Sequence, residues 1–528
     1  MRAWLGFDQA RLASFTADLG LAGVSARLAA DAPPLLLTRV SGRLSAREEI
    51  RPGKQDGKPT FGALGHSIAL ENFSVVTRDG TVLPPATLSE TWRPAARGKP
   101  ERFEVHADKL DLGALATLAA QMPLAPQQRE LLAALAPHGR LFDADVEWEG
   151  HFPKLAAWRV RGRVEGFGID PLEAQAARPA LPGVRNLSGN VDASDRGGSL
   201  NIASDHLALA LPAWFADPDL AFDQLGLRAR WSYPQDEQLL VEVDGLDFSQ
   251  GRLKGTLSGR HLLPLGQDKD GQHSAGNADF TGTVDGFDIA TIGRWLPLAT
   301  HEGLREWLTG ALQGGTLRDA RLRLRGELAH FPFHGDTPAE RARGEFRVSG
   351  RIDNGKLEYA PAHRAPETKA PLWPLLDNIN GSILFDRARM EIHADSARTL
   401  GLTLNNVHAV IPQLGAHESM LDIDGAASGQ LQEFLRYVAT SPVLEWIGHF
   451  TEDTKAGGNA RLGLKLHLPL ANLHEAKVQG ALQLQSNDIT LFPELPPIQA
   501  ALGKVEFSEH GVNLNGIGAS FLGGPLQL

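Results

Sequence analysis

The chain has 528 residues, of which 42 % are hydrophobic and 22 % charged, so a folded core is expected and wholesale disorder is excluded. Its net charge of −11 is spread along the sequence without a block of Lys and Arg, which argues against a nucleic-acid partner. The absence of cysteine excludes disulfides, thiolate metal sites and a cysteine nucleophile, and it suits an oxidising compartment.

The two ends of the sequence predict that the chain is part of a longer protein. Residues 1–5 do not resemble a signal peptide, and no apolar run reaches the roughly 18–20 residues of a transmembrane helix. Residues 525–528 lie within a strand-like alternation rather than after a stop signal. We therefore expect any membrane anchor to lie in a segment absent from this chain.

Most of the sequence alternates with period 2, as in residues 320–325 and 460–468. This alternation predicts strands with one apolar and one charged face, and Asp353-Asn354-Gly355 is typical of an antiparallel hairpin. The predicted fold class is mostly β, built from repeated antiparallel sheet units with short helical insertions. Residues 1–100 are a partial first unit, 101–277 and 278–424 are units with a helical insertion, and 425–528 are a truncated third unit.

Three segments have apolar residues at helical spacing and a proline within or after them. They are residues 112–135 around Pro123, residues 289–312 around Pro297, and residues 431–438 before Pro442. Asp288 is placed to cap the second segment, whose apolar stripe reaches Leu296 and resumes from Leu304 to Leu312. Because proline ends or kinks a helix, each segment predicts two short helices.

Two sequence anchors recur in the same order three times. The first opens a strand after each helical segment and makes Ala144, Ala320 and Ala460 equivalent; the second is a proline seven residues before a glycine that opens another strand. The second anchor occurs at Pro182/Gly189, Pro374/Gly381 and Pro496/Gly503. Variable spacing between the anchors predicts loops at Arg51–Thr60, Leu265–Asn277, His334–Arg343 and Ala360–Ala370.

No arrangement of residues predicts catalysis, a cofactor or a metal site. Asp422 and Asp424 faintly resemble the start of a calcium loop, but the later ligands are missing, so we interpret them as charged-face residues of a strand. The tryptophans at positions 148, 158, 295 and 307 fall on strand or helix patterns and are interpreted as core residues rather than ligand-stacking platforms. The sequence therefore predicts a protein that is not an enzyme.

The apolar strand face is the candidate site. The helical segments are too short to cover every strand, and the inward positions are mainly aliphatic, so the face is expected to be a smooth lining; a closed core is the alternative. The residues predicted to line this surface are Val146, Trp148, Leu322, Leu324, Phe346, Val348, Ile383, Phe385, Leu462, Leu464, Leu466, Val505 and Phe507.

Several short sequence segments of the second and third units resemble those of the AsmA-like bacterial envelope proteins of the YhdP type. The resemblance rests on residues 293–298, 308–315, 331–333, 373–375 and 441–443. It implies an elongated, twisted β-groove that conducts phospholipid acyl chains between the inner and outer membranes of a Gram-negative cell. It also implies a periplasmic location, an inner-membrane anchor in the full-length protein and contacts with other envelope proteins.

Two rival functions stay open on the sequence. A periplasmic scaffold for outer-membrane protein assembly would use exposed strand edges. A β-solenoid enzyme acting on polysaccharide would show paired carboxylates and short regular rungs, whereas here the repeat exceeds 100 residues and the acids are spread out. The second rival is therefore the weaker.

Overall fold

A computed structural model describes most of the chain. The described residues are 2–8, 11–27, 34–55, 58–96, 98–119, 121–122, 124–151, 154–175, 180–235, 237–266, 274–333, 335, 337–414, 416, 418–472 and 475–527, without the side chains of residues 51–63 and 515. They divide into two compact units: unit 1 is Met1–Gln250 with Leu262–His273, and unit 2 is Gly251–His261 with Ser274–Leu528.

Strands dominate both units. Those of unit 1 are β1 (Arg2–Asp8), β2 (Arg11–Ala26), β3 (Leu35–Gln55), β4 (Lys58–Thr77), β5 (Val82–Arg93), β6 (Arg102–Asp111), β7 (His138–His151), β8 (Lys154–Ile169), β9 (Gly183–Ser194), β10 (Gly197–Asp205), β11 (Ala208–Ala210), β12 (Asp219–Ala221), β13 (Gln224–Ser232) and β14 (Gln238–Gln250). Strand β15 (Leu253–Pro264) has residues in both units.

The remaining strands belong to unit 2. They are β16 (Asn277–Asp285), β17 (Phe287–Asp288), β18 (Leu312–Glu327), β19 (Gly344–Leu357), β20 (Leu376–Asp386), β21 (Arg389–Thr399), β22 (Leu402–Ile411), β23 (Met420–Gln430), β24 (Lys455–Ala456), β25 (Asn459–Pro469), β26 (Lys477–Thr490), β27 (Ile498–Ser508), β28 (Gly511–Phe521) and β29 (Gly524–Gln527).

Consecutive long strands pair with each other in antiparallel register within each unit, from β1–β2 through β8–β9 in unit 1 and from β18–β19 through β22–β23 in unit 2. Such ladders need only hairpin turns, which explains why Gly, Asn and Asp recur between the alternating runs. The predicted fold class, mostly β and antiparallel with few short helices, is confirmed, and the sheet is not closed. The division into four repeat units stays a prediction.

The helices are short, and all except the one at Pro338–Arg341 lie in the three segments where the sequence predicts helices. They are α1 (Leu112–Ala119), α2 (Pro126–Leu135), α3 (Ile292–Trp295), α4 (Glu302–Ala311), α5 (Pro338–Arg341), α6 (Leu431–Ala439) and α7 (Val443–Trp446), with 3₁₀ turns at Ile289–Thr291 and Leu328–His330. Asp288 caps the first 3₁₀ turn by accepting a hydrogen bond from the backbone N–H of Ala290 at 3.1 Å. Each of the two predicted stripes is one residue too long at its C-terminal end, because Leu296 lies outside α3 and Leu312 lies outside α4.

Two of the three predicted strand openings are wrong, because Asp143 and Asp319 lie inside strands. Asp143 and Asp319 have φ of 48° and 50° and sit at register shifts within β7 and β18. Only the third predicted opening is right, since β25 begins at Asn459. The alanine that follows each of these positions is buried, at Ala144, Ala320 and Ala460.

The glycine of each proline–glycine anchor also lies inside a strand, contrary to the prediction that it opens one. A Cβ at Gly189 would come within 2.4 Å of the Asn201 carbonyl oxygen, and one at Gly381 within 2.1 Å of the His393 carbonyl oxygen. The neighbouring strand thus approaches too closely for any side chain, and this close approach explains the glycines.

The structure contradicts one of the predicted loops and confirms another. Arg51–Thr60 is wrong as a loop, because β3 extends to residue 55 and β4 begins at residue 58. Ala360–Ala370 contains neither helix nor strand, as predicted. Residues 267–273 of the second predicted loop and residues 334 and 336 of the third lie outside the described residues, while α5 occupies part of the third.

Helices cover only one end of the strand face in each unit. In unit 2, Leu431 and Phe434 of α6 form a buried cluster with Leu402, Leu484 and Ile517. In unit 1, Ala114 of α1 joins a cluster with Leu37, Val40, Val75 and Leu83. The end of the strands next to α1, α4 and α6 is here called the helical edge. The opposite end, where β7 turns into β8 and β20 turns into β21, is here called the hairpin edge.

Candidate functional site

The strand register places the predicted residues of unit 2 on one face. Residues directly opposite each other in an antiparallel pair share a face. Leu324 lies opposite Phe346, while Leu322 lies opposite Val348, which in turn lies opposite Phe385. Ile383 sits two residues before Phe385 and therefore shares its face.

The same face continues through the later strands of unit 2. Ile383 is opposite Ile392, and the row then passes through Ala409 and Ile423 to Leu466. Each member of this row is apolar, although the alternation in β21–β23 was not used to predict it. Ile392 and Ile423 are thus further candidate residues that the period-2 pattern could have identified.

The last strands complete the surface, here called the apolar face of unit 2. Leu462 lies opposite Leu482, which lies opposite Val505. Leu464 lies opposite Gly480, which lies opposite Phe507. All eleven residues predicted in this unit therefore share one face, and Leu322 and Leu462 point the same way.

The two predicted residues of unit 1 also lie side by side on one face, here called the apolar face of unit 1. Val146 lies between Val105 and Val160. Trp148 lies between Phe103 and Trp158, and its ring stacks on that of Phe103 with a centroid distance of 4.8 Å. These neighbours extend the apolar surface over β6, β7 and β8.

Burial differs between this surface and the clusters beneath the helices. Each of the thirteen predicted residues is half-buried, whereas the residues beneath α1 and α6 are buried. Leu462 and Val505 contact the buried cluster under α6, and Leu464 and Leu466 lie farther along β25 towards the hairpin edge. An apolar surface left half-buried in water is a feature that binding proteins use.

The opposite face, here called the charged face, consists of cross-strand ion pairs. Arg323 lies 2.5 Å from Asp279 and 3.6 Å from Glu345, and Arg159 lies 2.6 Å from Asp192. The hydrogen bond from Arg323 holds the pKa of Asp279 below its usual range, and the Arg159 hydrogen bond does the same for the pKa of Asp192. The paired strands of each unit therefore have one charged and one apolar side.

The two acids that faintly resemble a calcium loop belong to this charged face. Asp422 lies 2.5 Å from His467, and Asp424 lies 3.4 Å from Lys465. Each carboxylate already faces a basic side chain. Within the described ranges, no group of three or more His, Asp or Glu side chains could hold a metal ion.

The tryptophans correct the sequence interpretation, since none of the four is buried in the core. Trp158 is 37 % exposed and Trp307 is 42 % exposed, and Trp148 and Trp295 are half-buried. Trp158 belongs to the open apolar face of unit 1, and Trp307 reaches from α4 to the Tyr359 carbonyl oxygen at 3.3 Å. Exposed aromatic rings are therefore part of the surface rather than of its support.

Two ionisable residues on the apolar face of unit 1 escaped the sequence analysis. Glu90 lies opposite Val105, and His66 lies opposite Trp92. The sequence alone could have placed Glu90 on this face, because Glu90 follows the same alternation as Leu88 and Trp92.

No helix in the described part of the chain is long and apolar enough to cross a bilayer.

The described part of the chain is an open antiparallel sheet protein with one charged side and one half-buried, mainly apolar side. The family model described as YhdP protein matches residues 1–528, so the chain belongs to the YhdP family and the resemblance is confirmed. It is 21 % identical over 467 residues to the "Intermembrane phospholipid transporter YhdP" of Escherichia coli (strain K12). That match covers 86 % of this chain but 34 % of the relative, about a third of its length. No solved structure matches the chain.

Proposed function

We propose that the apolar faces of this chain bind phospholipid acyl chains and let them move along the strands between the inner and outer membranes. The observation that carries the proposal is the half-buried state of all thirteen predicted residues, whose neighbours on the same faces are mainly apolar. Each buried CH₂ contributes about 0.8 kcal/mol, so two acyl chains offset the exposure of such a surface. The name of the relative, an intermembrane phospholipid transporter, agrees with this proposal.

The proposal also covers the absence of catalysis, the location, the groove and the partners of the protein. The protein works without catalysis, cofactor or metal, in the periplasm, and is held at the inner membrane by a segment outside this chain. The thirteen residues form an open groove lining rather than a sealed core. Other envelope proteins are its further partners.

The test is photo-crosslinking in a strain that makes the full-length protein. A photoreactive amino acid at position 324 lies on the apolar face, and one at Arg321, an exposed residue three positions away on the charged face, is the matched control. We expect phospholipid adducts from position 324 and none from position 321. Adducts to outer-membrane polypeptides instead of lipid would favour the assembly-scaffold alternative, and no adduct at either position would contradict lipid binding.

A further inference from the structure

A carboxylate interrupts the apolar face of unit 1. In the row that crosses β4 to β7, Ile68 lies opposite Glu90, Glu90 opposite Val105, and Val105 opposite Val146. Every other member of this row is aliphatic. A charged group among aliphatic neighbours is costly unless it has a partner, so its presence calls for one.

The contacts of Glu90 leave part of its bonding capacity unused. The side chain is 28 % exposed, but Oε2 is shielded from water and accepts no hydrogen bond within the described part of the chain. His66 Nε2 lies 3.2 Å from this oxygen, a distance that allows an ion pair when the imidazole is protonated, but the angles do not make a hydrogen bond. A donor arriving from the open side of the sheet could satisfy the carboxylate.

Aromatic rings flank the carboxylate in the next row towards the hairpin edge. Trp92 lies 5.1 Å from the His66 ring and 6.3 Å from the Phe103 ring, and Phe103 stacks on Trp148. Glu101 lies two residues before Phe103 in the chain, just before β6 begins. A cation above such rings is attracted to their π faces.

The second carboxylate adds negative charge to the same place. Glu101 accepts hydrogen bonds from Trp92 Nε1 at 3.2 Å and from His151 Nδ1 at 2.8 Å. The His151 bond, and then the Trp92 bond, hold the pKa of Glu101 below its usual value, so this carboxyl is ionised at neutral pH. The cluster of His66, Glu90, Trp92, Glu101 and Phe103 thus combines carboxylates with ring faces.

We propose that this cluster binds the ammonium headgroup of an aminophospholipid while the lipid's acyl chains lie on the aliphatic rows beside it. The inference rests on the proposed function and names its substrate class. A primary ammonium supplies N–H donors for Glu90 and a positive charge for the rings of Trp92 and Phe103. The eleven predicted residues on the apolar face of unit 2 are all apolar. In this proposal, unit 1 therefore recognises the headgroup, whereas unit 2 lets the lipid pass without contacting the headgroup.

The experiment is a competition on the full chain. Purified protein is loaded from vesicles that contain equal amounts of phosphatidylethanolamine and phosphatidylglycerol with identical acyl chains, and the bound lipids are counted by native mass spectrometry. We expect an enrichment of phosphatidylethanolamine of about three- to fivefold. Glu90→Gln keeps the shape of the side chain but removes its charge, and is expected to bring the ratio close to one while total bound lipid stays the same.

Glu104→Gln is the matched control, because Glu104 lies on the charged face opposite Glu147 and next to the cluster in sequence. It should leave the enrichment unchanged. Lipid bound by the wild type without headgroup preference, or a preference that survives Glu90→Gln, would overturn the ammonium site and leave the proposed function standing. A wild-type chain that binds neither phosphatidylethanolamine nor phosphatidylglycerol would overturn the proposed function itself.

Discussion

Two stretches of the same strand face in unit 2 differ in what covers them. Near the helical edge, Leu484 is 3 % exposed beneath Leu431 and Phe434 of α6. Farther along the sheet, Leu464 and Phe507 have the same kind of neighbours within the sheet but are only half-buried. Apolar side chains of the same kind are therefore buried where α6 covers the sheet and half-buried where it does not.

The largest difference should appear when a phenylalanine is truncated in each stretch. Phe434→Ala removes a buried ring between α6 and the sheet and should lower the free energy of unfolding by about 3–5 kcal/mol. Phe507→Ala removes a half-buried ring of the open stretch and should cost less than half as much. Urea unfolding measures both. Equal losses would mean that the open stretch is packed as tightly as the core.

A charge in each stretch should separate folding from lipid binding. Leu484→Asp places an unpaired carboxylate in the core and should unfold this part of unit 2, because burial of such a group costs several kcal/mol. Leu464→Asp lies between Gly425 and Gly480, where the carboxylate can reach water, so the fold should persist while co-purified phospholipid falls. Circular dichroism and lipid extraction on both variants test this. A collapsed fold in Leu464→Asp would indicate a sealed core.

The period-2 alternation carried most of what the sequence could predict. It identified the strands, their apolar side and thirteen residues of that side, because a strand's two faces are fixed by chain geometry alone. The helix–proline–helix segments could also be predicted, because Pro297 and Pro442 interrupt a helix whatever the tertiary context.

Features that depend on neighbouring strands could not be predicted from the sequence. Asp143 and Gly189 look like strand starts in the sequence, yet they mark bulges or close approaches that exist only once another strand is paired alongside. The alternation of β5 does place Glu90 on the apolar side, but its aliphatic neighbours Ile68 and Val105 come from strands β4 and β6 and are known only from the pairing. Coverage by α6 also depends on packing, which alternation does not encode.

A smaller effect should follow from loosening the helix that covers the core. Tyr437 of α6 and Tyr359 hydrogen-bond through their hydroxyl groups at 2.8 Å, and burial raises the pKa of both. Tyr359→Phe removes this bond and should lower the free energy of unfolding by about 1 kcal/mol. Tyr233→Phe, at an exposed tyrosine, is the control and should have no measurable effect. Equal midpoints for the two variants would show that the pair does not hold α6.

The smallest expected effect concerns the charged face. Because Arg323 and Arg159 lower the pKa of Asp279 and Asp192 in the folded state, these carboxylates contribute stability above their usual pKa of 3.8. That contribution is lost as the pH falls through the lower folded pKa, when both carboxylates become protonated. The pairs are partly exposed, so the loss is small and salt screens it. Unfolding midpoints between pH 6 and pH 3 should therefore fall slightly less in Asp279→Asn than in the wild type, whereas Leu464→Ala, on the apolar face, should leave that slope unchanged. An Asp279→Asn slope identical to the wild type would mean that this ion pair does not stabilise the sheet, and that the charged face serves solubility alone.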